Sequence, residues 1–129
     1  MKRKKILVVD DDKDLLLALH IRLTARGYMT FCAPDANWAI QMAVQEKPDL
    51  ILLDLGLPDQ NGFAVIEALK RLNSGNIPII VVSARPRELY EEPSLLAGAV
   101  EYFEKPFDNA ELIRAIQSVL NGSYTAALS

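Results

Sequence analysis

Aspartates stand three in a row at Asp10-Asp11-Asp12, directly after the apolar run Ile6-Leu7-Val8-Val9. A fourth, Asp54, follows Leu50-Ile51-Leu52-Leu53. Two other polar residues end apolar runs in the same way: Ser83 after Ile79-Ile80-Val81-Val82, and Lys105 of Lys105-Pro106 shortly after Val100–Phe103. Carboxylates brought together repel, and each carboxyl pKa rises unless a cation offsets the charge. A hard divalent ion is the natural answer. Mg²⁺ accepts few protein carboxylates and keeps several waters, which leaves positions open for a phosphoryl oxygen. Lys105 and Ser83 then add a cation and a hydroxyl from the opposite side. Such a set suits phosphoryl transfer, where positioning and charge neutralisation carry the catalysis, and aspartate is a competent phosphoryl-accepting nucleophile. Each residue alone also reads as a helix cap or turn residue. Their joint occurrence at the ends of apolar runs points to chemistry.

The elements that must position them alternate. Strands are expected at Lys4–Val9, Tyr28–Ala33, Asp49–Leu53, Pro78–Val82 and Val100–Phe103. Three of these are apolar without alternation, the pattern of strands buried on both faces in a parallel sheet. Helical patterns lie between them. The first runs from about Lys13 to Arg26 and stops at Gly27. The second follows Pro34-Asp35 with Ala36, Ala39, Ile40 and Ala43 on one face; the third starts near Gly62 with Val65, Ile66 and Leu69 inward. The fourth lies between Arg87 and Ala97, and the last starts at Asp108, with Glu111 completing a capping box and Leu112, Ile116, Val119 and Leu120 inward. Five strand–helix repeats with right-handed crossovers predict an α/β, flavodoxin-like doubly wound (βα)5 three-layer sandwich with parallel sheet order 2-1-3-4-5. Ligands in such folds bind at the carboxyl ends of strands 1 and 3. Asp10, Asp11 and Asp54 should therefore converge.

Composition bounds the function classes. The chain has 129 residues, enough for one domain. Half are hydrophobic and 24% charged, which excludes disorder as the dominant state. The single Cys32 and single His20 exclude an internal disulfide and a Cys- or His-built metal centre. No apolar run is long enough to cross a membrane, and three aspartates cut short any secretory h-region, so a cytoplasmic location without membrane contact is expected. A net charge of −3 argues against direct nucleic-acid binding, and Lys2–Lys5 reads as a solvated basic stretch before the first strand.

The sequence resembles the receiver domain of two-component response regulators from about Lys4 to Leu120. The carrying segments are Ile6–Asp12, Leu52–Pro58 with Asn61-Gly62, Val82-Ser83-Ala84, and Gly98-Ala99 through Tyr102 to Lys105-Pro106-Phe107. The resemblance implies that Asp54 accepts a phosphoryl group from a sensor histidine kinase or a histidine phosphotransfer protein. Asp10 and Asp11 hold Mg²⁺ together with Asp54 and the backbone carbonyl of Gly56, Asp11 being the more direct ligand of the acid pair. Lys105 pairs with the phosphoryl group, aimed into the site by a Lys105-Pro106 bond that is typically cis in the family. Ser83 turns toward the phosphoryl group, and the orientation of Tyr102 follows. The readout is the face of helix 4, strand 5 and helix 5. Residues 1–121 are then the receiver domain and 122–129 a tail or the start of a linker. Partners are the kinase or phosphotransfer protein and a downstream output domain or protein, with a homodimer open to it. No turnover of a separate substrate is expected.

Other residues carry plainer expectations. Asp12 reads as the cap of the first helix. Arg85-Pro86 and Glu92-Pro93 predict a short or distorted fourth helix. Gly56 borders the phosphoryl position and Arg85 stands two residues past Ser83, and both bear on water access. Trp38 and Met42 are read as a pair on the side of helix 2 away from its apolar face, His20 as a surface residue, and Cys32 as a small buried apolar residue. Rival functions fit less well. An aspartyl phosphohydrolase needs an acid two residues after the nucleophile, where Gly56 stands. A flavin-binding domain needs a phosphate-cradling loop where three aspartates stand. A receiver-like module that only binds a partner, independently of phosphorylation, does not need the full acid, hydroxyl and lysine set.

Overall fold

The computed structural model describes residues 2–72 and 77–122. The elements alternate as expected: β1 (Lys5–Val9), α1 (Lys13–Ala25), β2 (Met29–Ala33), α2 (Ala36–Glu46), β3 (Leu50–Leu53), α3 (Gly62–Lys70), β4 (Ile79–Ser83), α4 (Arg87–Ala97), β5 (Glu101–Glu104) and α5 (Asn109–Leu120). The strands form one sheet in the order β2-β1-β3-β4-β5, every neighbouring pair parallel. The expected tail from residue 123 onward lies outside the described residues. Among the described residues, no helix is long and apolar enough to cross a membrane.

Alternation along the strands divides the core in two. Leu7, Val9, Ile51, Leu53, Ile79 and Val81 meet the small residues Ala36, Ala39 and Ala43 of α2 and Val65, Ile66 and Leu69 of α3. Ile6, Val8, Leu50, Leu52, Ile80 and Val82 meet Leu19 and Leu23 of α1 and Leu112 and Ile116 of α5. Both faces are thus covered, which is why these strands lack polar positions. The register sets Val9 beside Leu53 and Leu53 beside Val81. The residues that follow β1, β3 and β4 therefore emerge on one rim.

Side-chain caps fix where the helices begin. Asp12 accepts from the N–H groups of Asp14 and Leu15, Asp35 from Trp38, Asn61 from Phe63 and Ala64, and Asp108 from Glu111. A second carboxylate also serves α2: Asp59, in the loop after β3, takes the N–H of Ala36 at 3.0 Å and of Asn37 at 3.1 Å. The Ala36 N–H is the main reason its carboxyl lies below its ordinary value. A depressed folded-state pKa contributes stability that is present above the unfolded pKa and lost as pH falls through the folded one. Asp59→Ala is therefore expected to melt at a lower temperature than wild type at pH 7. The gap should close as pH falls from the ordinary 3.8 through the lower folded value. Melting curves across that range check this; a gap that persists or widens in acid would refute it.

Three expectations need correction. Helix α4 is not short: it runs unbroken over 11 residues with Pro93 in its interior. Pro93 cannot donate to the Leu89 carbonyl, but both residues are exposed, so water can supply the missing partner. Met42 is half-buried and packs on the α2–α3 side of the core, its unbranched side chain reaching back while Trp38 stays 54% exposed. Cys32 is exposed, because β2 is an edge strand covered only in part; its thiol faces the Leu16 carbonyl at 4.0 Å. His20 is at the surface as expected, against Thr30. Pro93→Ala should restore the α4 ladder and raise stability by about 1–3 kcal/mol, seen as a melting midpoint higher by about 4 °C per kcal/mol.

Candidate functional site

Two strand ends deliver the acids. The chain leaves β1 at Asp10, whose N–H bonds to the Ala33 carbonyl, and leaves β3 at Asp54, whose N–H bonds to the Val9 carbonyl. Asp10 is 2% and Asp54 7% exposed, whereas Asp11 is exposed. Asp10, Asp11 and Asp54 each place a carboxylate oxygen within 4.8 Å of the others. One Asp10 oxygen accepts the Asp12 N–H at 2.9 Å, and one Asp54 oxygen accepts the Gly56 N–H at 3.1 Å. Asp12 itself turns away to cap α1.

Lys105 reaches this cluster from the other side. Its N–H bonds to the Ser83 carbonyl at 2.8 Å, which ties the chain after β5 to the end of β4. The Lys105–Pro106 bond is cis. The ammonium lies 2.6 Å from Asp10 Oδ2 and 3.7 Å from Asp54 Oδ2. Burial raises the Asp10 carboxyl above its usual value despite the Lys105 hydrogen bond. Burial alone would push Lys105 down, but the Asp10 bond and the charges of Asp54, Asp10 and Asp12 hold it above its ordinary value. Three carboxylates against one ammonium leave two negative charges on the rim. Hard oxygen donors with that excess fit a divalent cation such as Mg²⁺.

The hydroxyl and the aromatic are linked through a third residue. Ser83, fully buried at the end of β4, accepts the Arg85 N–H at 3.2 Å. That bond uses an acceptor lone pair, and the Ser83 hydroxyl also interacts with the Tyr102 phenol. Tyr102 is 1% exposed and donates its hydroxyl to the Arg85 carbonyl at 2.6 Å. Burial pushes its phenol above the ordinary value.

The structure therefore unites Asp10, Asp11, Asp54 and Lys105 directly, and joins Ser83 to Tyr102 both side chain to side chain and through the main chain of Arg85. Gly56 lies against Asp54 through its N–H, and a Cβ there would stand 3.7 Å from both Asp54 oxygens, so this flank of Asp54 is open. Gly62 has a different reason to be glycine: a Cβ would come within 2.7 Å of the Leu55 backbone, so only glycine lets α3 begin this close to the loop. Sequence reasoning missed Asp59 and the side-chain partners of Arg85. Both act across loops far apart in the chain, and neither breaks a local pattern.

Comparison with known proteins gives one consistent result. Residues 6–117 match the family described as the response regulator receiver domain. A CheY-like response regulator receiver domain protein from Methanospirillum hungatei JF-1 superposes with a TM-score of 0.88 at 30% identity, over 95% of this chain and 97% of that one. The receiver domain of the Francisella response regulator 1452 superposes at 0.85 with 26% identity, over 94% and 99% of the two chains. The Vibrio cholerae chemotaxis protein CheY4 shares the fold at 0.84 with 24% identity, over 92% and 99%.

Proposed function

This chain belongs to the response regulator receiver domain family of two-component signalling, and on that premise we propose that it is a phosphoacceptor switch acting through Asp54. The observation that carries the reading is the rim itself: three carboxylates within 4.8 Å of one another, with one lysine ammonium 2.6 and 3.7 Å from two of them. Receiver domains are signalling switches and not turnover enzymes. The donor would be a sensor histidine kinase or a histidine phosphotransfer protein. A carboxylate oxygen of Asp54 attacks phosphorus, the donor's N–P bond breaks, and the imidazole leaves with the bonding pair. Hydrolysis reverses the state: water attacks phosphorus, the Asp54–phosphorus bond breaks, and inorganic phosphate departs.

Asp10, Asp11 and Asp54, with the Gly56 carbonyl, would hold Mg²⁺, which supplies charge neutralisation to the phosphoryl oxygens when bound. Lys105 would shift its hydrogen bonding from Asp10 to a phosphoryl oxygen, and the Ser83 hydroxyl would turn to donate to another. Ser83 and Tyr102 would form the switch pair, because both hold the main chain of Arg85. The responding surface would be the α4–β5–α5 face, which can serve an output domain, a partner protein or a second copy.

The test is incubation with acetyl phosphate and Mg²⁺, read by intact mass. One added phosphoryl group is expected, and chelation of Mg²⁺ should reduce uptake by at least about a hundredfold. No uptake by folded protein, with beryllofluoride also failing to bind, would leave a phosphorylation-independent interaction module on the receiver fold.

A further inference from the structure

Ser83 and α4 are joined by a side chain that the phosphoacceptor chemistry does not use. Arg85 holds Ser83 with its N–H and Tyr102 with its carbonyl. Its guanidinium lies over the Tyr90 ring, 5.4 Å from the centroid, and donates to the Tyr90 hydroxyl at 3.3 Å. Tyr90 belongs to α4 and stacks on Phe63 of α3 at 6.0 Å. Arg85 and Tyr90 also line a hollow of about 100 Å³ together with Leu55, Leu57 and Asn61 of the loop after Asp54. The guanidinium therefore stands between the acceptor's loop and α4.

The neighbouring arginine shows the contrast. Arg87 is fastened at three points: its N–H to Glu104, one guanidinium nitrogen to Glu91 at 2.6 Å, the other to the Tyr102 carbonyl at 2.7 Å. Among the described residues, no carboxylate forms an ion pair with Arg85. Its hold on Tyr90 is one long, exposed hydrogen bond to an uncharged phenol and an exposed cation–π contact, a weak pairing. On the phosphoacceptor reading, phosphorylation of Asp54 would draw Ser83 Oγ away from the Arg85 N–H.

We propose that Arg85 is the positioning residue that carries phosphorylation of Asp54 to α4, by a side-chain route through Tyr90 separate from Tyr102. The guanidinium leaves Tyr90, the Phe63–Tyr90 stack loses its third member, and α4 reorients with its exposed Leu89, Leu95 and Leu96. This rests on the phosphoacceptor reading. The test uses ¹⁵N-labelled protein with Mg²⁺ and beryllofluoride as phosphoryl mimic, comparing wild type, Arg85→Ala and Tyr102→Phe. Arg85→Ala keeps both main-chain hydrogen bonds and removes only an exposed side chain. It should still show the bound fluorine resonance, while ligand-induced shifts of the α4 amides fall by about threefold or more. Tyr102→Phe should keep most of the α4 response. Full α4 shifts in Arg85→Ala, or their loss in Tyr102→Phe, would overturn the route. Loss of fluorine binding in Arg85→Ala would overturn it differently, making Arg85 part of the anion site. No bound fluorine in wild type would sink the phosphoacceptor reading itself, and this inference with it.

Discussion

The Asp54→Asn substitution should end phosphoryl uptake while leaving the protein folded. The rate from acetyl phosphate is expected to fall by more than about a thousandfold, because a neutral amide oxygen is a poor nucleophile and gives no stable acyl phosphate. The geometry separates this loss from misfolding. The Asp54 N–H, which ties the loop to Val9, belongs to the backbone and survives. The side-chain carbonyl oxygen of the introduced asparagine can still accept the Gly56 N–H that Asp54 Oδ1 accepts at 3.1 Å. Lys105 keeps its closer partner, Asp10, at 2.6 Å. One of three mutually repelling charges disappears, so without Mg²⁺ the Asp54→Asn variant should melt no lower than wild type. Intact mass and melting midpoints, taken on the same samples, test both halves. A phosphoryl group on the variant would move the acceptor to Asp10 or Asp11.

The rim was legible before the fold was described because strand ends are a topological fact. Once five apolar runs alternate with helical patterns, Asp10, Asp54, Ser83 and Lys105 must share an edge, whatever their side chains do. Helix starts were legible for the same local reason: Asp12, Asp35 and Asp108 are cap residues just before helical patterns. What escaped depends on surroundings that spacing does not encode. Pro93 reads as a breaker, but an exposed helix interior tolerates it because water replaces the lost donor. Cys32 reads as buried until β2 proves to be an edge. Met42 belongs to the core because a flexible side chain can reach what its helical position only approaches. Asp59 carries no signal in the sequence, because its role at the start of α2 requires two loops to meet. Arg85 was visible as a neighbour of Ser83, but its hold on Tyr90 depends on how α4 packs against α3.

Lys105→Met should damage both stability and chemistry, and Mg²⁺ should repair only the first. The ammonium is the one cation paired with the buried Asp10 carboxylate among the described residues, at 2.6 Å. Without it, Asp10 keeps a single N–H donor, from Asp12, and faces Asp11 and Asp54 with no positive charge among them. Removing one partner of a fully buried pair costs about 3–5 kcal/mol. Lys105 keeps 22% of its side chain exposed, so water screens part of the loss and about 2 kcal/mol is expected in EDTA. A divalent cation among the carboxylates replaces that charge, so Mg²⁺ should bring the midpoint back toward wild type. The rate behaves differently. Charge on the transferring phosphoryl oxygens builds on the side from which Lys105 approaches, and a cation held by Asp10 and Asp11 cannot occupy that side as well. Phosphorylation from acetyl phosphate at saturating Mg²⁺ should stay about a hundredfold below wild type. Recovery of stability without recovery of rate would assign Lys105 to the phosphoryl group. Recovery of both would reduce it to a counter-ion for Asp10 that any cation can replace.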